Sequence, residues 1–403
     1  MNSCIVGIVA EYNPLHNGHA HHLSKALSKS GAEGVVVVLS SSFTQRGEPA
    51  LLDKWERAEM ALCAGADVVL ELPVVFSSHN AGPFANAAVD IMIKCGIITH
   101  ISFGMESPSP IILDTISNIL IQEPDPFKTY LKALLKHGLS FVEARAKTLD
   151  HLVPGAEEFL SGSNNALAVA YNCRLKQAGS SIKVLPVKRT GTSYHDMEPD
   201  NGIASATAIR KLIKNRQFER AFDYIPSFSG KILEQCRISG RVFADTERLW
   251  PLIRIVLERL DPGDDPEYAE MGEGLLRRLK RISEGSECLE DLISRSISRR
   301  HARGRIQRGI IHTLIALDHD ENRNFQAAGP QYIRVLGYSS KGQYLLKRSR
   351  KVSGLPIITK SSAPFSDISR KMMDMEHRAS RIWESLLDKP DMEREKKARP
   401  VVL

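Results

Sequence analysis

At 403 residues the chain is too long for one ordinary core, and its 42% hydrophobic and 25% charged content are those of a globular protein with two domains. No apolar run approaches the roughly 20 residues that cross a bilayer, and Met1-Asn2-Ser3-Cys4 leads into an apolar strand with neither a basic stretch nor a cleavage site, which excludes a membrane span and points to a cytoplasmic rather than secreted protein. The net charge of +7 favours an anionic partner such as nucleic acid, while six cysteines scattered singly, without C-x-x-C spacing, speak against disulfides and zinc sites.

Cys4 to Ala10 is a short run rich in β-branched residues, suited to a strand covered on both faces. A loop with Asn13-Pro14 follows, then a helical pattern from about His19 to Ser30. Val35 to Leu39 reads as the second strand and leads into the polar loop Ser40-Ser41-Ser42. A helix around Trp55 to Ala64, a strand Val68 to Leu72, a helix around Ala85 to Lys94 and a strand Ile97 to Phe103 complete the alternation. This β-α-β order predicts a Rossmann-like α/β domain with a mostly parallel sheet and right-handed crossovers.

Residues 108–179 read as mainly helical, with Ser163 to Ala178 capped by Ser163 or Asn164. Ile182 to Val187 is expected as a last strand, followed by the loop Arg189 to Gly202 and a helix from about Ser205 to Asn215. Beyond residue 216 helical periodicity dominates, at Leu249 to Leu260, Gly274 to Ile282 and Arg303 to Leu317. A short α/β piece is expected near Tyr332 to Lys347 and a strand within Ser353 to Lys360. The resulting division is an α/β domain over 1–215, a mostly helical domain over 216–387, and a charged, flexible tail over 388–403.

The sharpest chemical signal is His16-Asn17-Gly18-His19, just after the first strand and at the start of the first helix. Ligands of an open α/β sheet collect outside the carboxyl ends of its strands, and a helix N-terminus there offers N–H groups to a phosphate. Two imidazoles three residues apart share one side of that turn. They can donate to phosphate oxygens whose charge shifts as an α-phosphate is attacked, and Gly18 lets a nucleotide lie close to the backbone. A second helix start, Gly202-Ile203-Ala204-Ser205-Ala206-Thr207-Ala208-Ile209-Arg210, offers hydroxyls and one Arg. Ser205 and Thr207 can cap that helix or bond phosphate, and Arg210 can neutralise a triphosphate.

The pair H-x-G-H and, much later, I-x-S-x-T-x-I-R resembles the signature of the nucleotidyltransferase superfamily. Gln45-Arg46-Gly47-Glu48-Pro49, Asp53-Lys54, Gly65-Ala66-Asp67, Glu71-Leu72-Pro73, Asn164-Asn165 and Tyr194-His195-Asp196 narrow the likeness. Over about the first 215 residues the chain is similar to the bacterial tRNA(Met) cytidine acetate ligase family, and more weakly so through Arg305-Ile306-Gln307-Arg308 and Tyr332 to Gly337. The resemblance implies that acetate attacks the α-phosphate of ATP, giving acetyl-adenylate, and that the wobble cytidine of elongator tRNA(Met) then takes the acetyl group on N4. It also implies nucleotide contacts at Gly7, Ile8, Val9, Ala10, Glu11, Tyr12, Asn13, Pro14, Leu15, His16, Asn17, Gly18, His19, Ala20, Gly104, Asn164 or Asn165, and Arg189. Met105 departs from the family pattern, in which a Ser follows the Gly.

Chemistry is expected at His16, His19, Arg46, Ser205 and Arg210, with no protein metal ligands and Mg2+ held by phosphates and water. Arg46 could bind a phosphate, acetate or RNA, or be a solvated turn residue. Asp53 and Lys54 could mark only a helix start, Trp55 is expected in packing, and Glu71 could be a satisfied polar group or a substrate contact. Asp196 could orient His195, bind magnesium, or be a hydrogen-bonded loop carboxylate. Arg299, Arg300, Arg303 and Arg305 are candidate contacts to the RNA backbone, with Lys347-Arg348-Ser349-Arg350-Lys351 a second cluster. The alternatives are a small-molecule adenylyltransferase of cofactor biosynthesis, which leaves the basic helical half unexplained, and a non-catalytic RNA-binding module. No protein partner can be inferred.

Overall fold

Alternating burial organises the molecule. In the second strand Val36 and Val38 join one apolar cluster while Val35, Val37 and Leu39 join the other, so both faces are covered. The computed structural model describes residues 4–189, 204–260, 267–361 and 366–403. Strands β1 (Ile5–Ala10), β2 (Gly34–Ser40), β3 (Val68–Leu72), β4 (His100–Met105) and β5 (Lys183–Lys188) are all parallel. Helices Asn17–Ser30, Lys54–Cys63 and Ala206–Lys214 pack on one face, and Ala81–Cys95 and Ser163–Gln177 on the other.

The sheet order is β5-β4-β1-β2-β3, continued by β6 (Ile333–Tyr338) and β7 (Ile357–Ile358). Its direction of travel reverses at β1, whose neighbours are β2 and β4. A crevice therefore opens beyond the carboxyl ends of β1 and β4.

The second half carries the expected α/β piece, β6 followed by helix Ser340–Val352, and the expected strand β7, and β6 runs antiparallel to β3 and so extends the same sheet. One expectation needs correction: the charged tail is not loose. A turn of helix at Arg394–Lys397 and strand β8 (Val401–Val402) return it to the sheet, where β8 pairs with β6. Glu395 is buried, with Lys54 Nζ 2.9 Å from its carboxylate and Arg334 as a second partner. A run of charges reads as solvated only while its partners are invisible. Here they lie about 60 and 340 residues away in sequence.

Candidate active site

A cleft of about 250 Å³ opens at this crevice, between β1, β4, the Asn17–Ser30 helix and the start of the Ala206–Lys214 helix. His16 is the N-cap of the first of these helices. Its Nδ1 accepts the Gly18 N–H at 3.1 Å, and Nδ1 of His19 accepts the His16 N–H at 3.4 Å. The two rings stack with centroids 3.7 Å apart, and Tyr12 meets His19 edge-on. Because both Nδ1 atoms accept, each neutral ring carries its proton on Nε2, a tautomer assigned from these bonds.

Burial, helped by the Arg189 and Arg210 charges, pushes His16 down to about 3. His19 is held well below the usual imidazole range by burial first and then by His16 and Arg189, with the Pro14 carbonyl opposing. The pair is thus neutral and supplies donors without bringing its own charge.

Cations supply the charge. Arg46, Arg189 and Arg210 all line the cleft. Arg210 donates through Nη1 to the Asn13 carbonyl at 2.9 Å and through Nη2 to Glu48 at 3.3 Å. Arg189 lies over Gly104, where a Cβ would sit 3.1 Å from its Cγ, and donates to Asn164 Oδ1 at 3.3 Å. Gly104 therefore makes room for the arginine while itself lining the cleft. Glu11 is the one carboxylate among the described lining residues. Burial raises its pKa against the pull of the Gln45 N–H and of Arg210, Arg46 and Arg57.

Of the predicted residues, Ile8, Val9, Ala10, Glu11, Tyr12, Asn13, His16, Gly18, His19, Arg46, Gly104, Asn164, Arg189, Ser205 and Arg210 converge on this cleft. Others lie elsewhere. Gly7 faces Met92, whose Sδ a Cβ would approach to 2.7 Å, so its smallness serves packing. Leu15 is fully buried in the core, and Asn17 ties its helix to the carbonyls of Tyr224 and Asp223. Pro14 and Ala20 are not among the lining residues. Asn165 is buried, with Oδ1 accepting the Glu106 N–H and Nδ2 donating to Phe159, which makes Asn164 the member of the pair that meets the cleft.

Ser205 caps its helix by accepting the Ala208 N–H at 3.2 Å while also lining the cleft. The Ser163–Gln177 helix starts after Gly162, and Glu106 serves it by accepting the N–H groups of Asn164 and Asn165. Met105 is buried in the core, away from the lining. Thr190 to Ile203, including Tyr194, His195, Asp196 and Gly202, lie outside the described residues.

Two contributors escape the sequence reading. His22, one more helical turn beyond His19, lines the cleft, bonds Ser102 Oγ at 3.0 Å, and is pushed by burial and Arg189 down to about 4. The i, i+3, i+6 spacing from His16 was its signal. Arg57 carries no motif. It is fully buried and clamps the ends of β1 and β2 by donating to the carbonyls of Glu11 and Ser41.

Glu71 and Lys54 belong to a closed buried cluster with Glu376, Glu395 and Arg334, so Glu71 is a satisfied polar group. Its three carboxylates lie close enough for a metal ion, but the Lys54 ammonium already bridges them. Asp53 caps the Lys54–Cys63 helix, and Trp55 is buried in packing.

In the helical half Arg303 pairs with Glu290, and Arg305 with Glu273 at 2.7 Å, while Arg299 and Arg300 are exposed. The second basic cluster rides on helix Ser340–Val352, beside Cys95 and Gly96 at the amino end of β4, opposite the cleft.

A parallel sheet with a histidine-capped helix and converging arginines at its β1/β4 crevice defines a HIGH nucleotidyl transferase, and the model of that family matches residues 3–399. The chain belongs to that family. Within it, the chain is 38% identical over 371 residues to the tRNA(Met) cytidine acetate ligase of Caldanaerobacter subterraneus, covering 91% of each, and 34% identical over 392 residues to that of Clostridium perfringens, covering 95% of each. The crystal structure of Thermotoga maritima TmcAL bound with alpha-thio ATP superposes with a TM-score of 0.89 at 31% identity, over 99% of both chains. The chain is accordingly a member of the tRNA(Met) cytidine acetate ligase family.

Proposed function

We infer that this cleft activates acetate with ATP and that the acetyl group passes to N4 of the wobble cytidine of elongator tRNA(Met). One observation carries the reading: a neutral, stacked imidazole pair at a helix N-terminus facing Arg46, Arg189 and Arg210 at the carboxyl end of β1. A carboxylate oxygen of acetate attacks the α-phosphorus and pyrophosphate leaves. The Nε2 donors of His16 and His19 and the arginines stabilise the charge that grows on the phosphate oxygens. The N4 lone pair then attacks the acetyl carbonyl, AMP departs, and the amine gives up a proton.

Only Glu11 among the described lining residues offers a carboxylate, and it already accepts the Gln45 N–H at 2.8 Å. That donor set suits Mg2+ that arrives with the triphosphate, ligated by phosphate oxygens and water. The cation would neutralise charge on the leaving pyrophosphate. Arg299 and Arg300, exposed ahead of helix Arg303–Leu314, are suited to the RNA backbone.

The test is ATP–pyrophosphate exchange with labelled acetate, followed by mass spectrometry of tRNA nucleosides. Acetate-dependent exchange and labelled N4-acetylcytidine are expected. Exchange that responds only to a mononucleotide would instead assign the cleft to small-molecule adenylyl transfer.

A further inference from the structure

The segment from Phe43 to Pro49 separates the cleft from the helical half. It is held from within by an antiparallel bridge between Phe43 and Pro49 and by the Thr44 N–H donating to the Glu48 carbonyl at 2.9 Å. On the cleft side its Gln45 N–H donates to the Glu11 carboxylate. On the other side Gly47, at φ +73°, rests on the backbone of helix Arg303–Leu314. A Cβ there would lie 2.4 Å from the Arg308 amide nitrogen.

Glu48 sits between these two anchorages, with each carboxylate oxygen facing a different half of the molecule. Oε2 accepts Arg210 Nη2 at 3.3 Å, and Oε1 accepts Gln307 Nε2 at 3.4 Å. A second, smaller cavity of about 80 Å³ adjoins the same side chain, lined by Glu48, Glu290, Arg303 and Gln307.

We propose that Glu48 is a positioning residue for the activation step: it fixes the Arg210 guanidinium over the cleft and, through Gln307, ties that placement to the seat of helix Arg303–Leu314. The physical ground is pre-organisation. An arginine side chain gives up considerable rotamer freedom when it is held. The Asn13 carbonyl anchors Nη1 and Thr207 Oγ1 accepts from Nη2 at 3.4 Å, and the Glu48 carboxylate, the one charged acceptor of the three, fixes the plane of the fork before a phosphate arrives. Helix Arg303–Leu314 begins just after the exposed Arg299 and Arg300, so whatever docks there bears on the same helix that orients Glu48. The proposal rests on the reading of the cleft as the site of acetate activation.

The experiment is a double-mutant cycle on the full chain, read as acetate-dependent ATP–pyrophosphate exchange. Glu48→Ala is expected to lower kcat/KM for ATP about 10- to 100-fold, the range commanded by one hydrogen bond to a charged group. Glu48→Gln, which keeps an acceptor and loses the charge, falls between. Gln307→Leu costs about 3-fold, because its bond to the carboxylate is long at 3.4 Å and acts on Arg210 only through Glu48, and nothing further in the Glu48→Ala background.

The decisive readout is coupling: Glu48→Ala combined with Arg210→Ala should be no worse than Arg210→Ala alone. Additive losses, or a Glu48→Ala variant at the wild-type rate, overturn the proposal while leaving the activation reading intact. A wild-type chain that shows no acetate-dependent exchange overturns both. If Glu48→Ala does not fold, the cycle is run with Glu48→Gln, whose shape is conserved, and the same criterion applies.

Discussion

A histidine that caps a helix through Nδ1 is committed to one tautomer, and at His16 that commitment makes Nε2–H a fixed donor in the lining of the cleft. Capping and catalysis can be separated. Asparagine also caps well but does not place a donor where Nε2 sits. His16→Asn is therefore expected to keep the thermal midpoint near wild type while reducing exchange about 100- to 1000-fold, the usual loss for one transition-state donor. His19→Ala should likewise abolish pyrophosphate release while leaving tRNA binding intact, and loss of binding with normal chemistry would refute its role. The His16 ring also sets a pH dependence. Its folded pKa of about 3 lies below the ordinary 6.5, so the unfolded chain binds the extra proton. The stability it contributes is complete above pH 6.5 and drains away as pH falls towards 3, about 2 kcal/mol of it by pH 5. Urea unfolding of wild type and His16→Asn at pH 7 and pH 5 measures this: the wild type should lose more. A mutant that loses as much would show that His16 takes up its proton as readily in the folded chain as in the unfolded one.

At the scale of elements, the strand-to-helix junctions carry the site. The β-branched run of β1 and the H-x-G-H that follows it made one junction legible, since period-two apolarity and a helix start are both local signals. The contacts between junctions were not. The resemblance names both Gly104 and Arg189, but no spacing rule shows that Arg189, beyond the end of β5, packs over Gly104 on β4. Arg57 and the Glu106 cap escaped for the same reason: each answers unpaired backbone groups of another element. Gly104→Ala tests that packing. A Cβ 3.1 Å from a flexible Arg189 Cγ costs little stability, because the side chain can yield. The yielded arginine is misplaced, however, and KM for ATP should rise about 10-fold or more. A variant with unchanged KM and a lowered thermal midpoint would mean that the glycine serves the fold alone.

For the whole molecule, charge does two separate jobs. The net +7 acts outward. If Arg299 and Arg300 meet RNA phosphates, replacing each with Ala should weaken tRNA binding whatever the sequence and reduce the slope of log K against log salt by about 0.7 to 0.9 per contact. An unchanged slope would remove them from the interface. Inward, the buried cluster joins the two ends of the chain. Lys54 bridges Glu71, Glu376 and Glu395, and Arg334 pairs with Glu395 and Glu71. Burial opposes charge on Glu395, but Arg334 and Lys54 override it and hold its pKa down to about 2. Nε and Nη2 of Arg334 have no acceptor among the described residues, so that guanidinium depends on what Nη1 reaches: the Glu395 carboxylate first and Glu71, at 3.5 Å, second. Removing one partner of a buried pair costs about 3–5 kcal/mol. Glu395→Ala should therefore lower the urea midpoint by that equivalent at pH 7. Since the folded pKa is depressed from 4.5, the difference between wild type and variant should persist above pH 4.5 and shrink as pH falls towards 2. Arg334→Met combined with Glu395→Met should recover much of the loss, because the penalty lies in the orphaned charge rather than in the missing pair. A Glu395→Ala variant as stable as wild type would return the tail to the status of a solvated appendage.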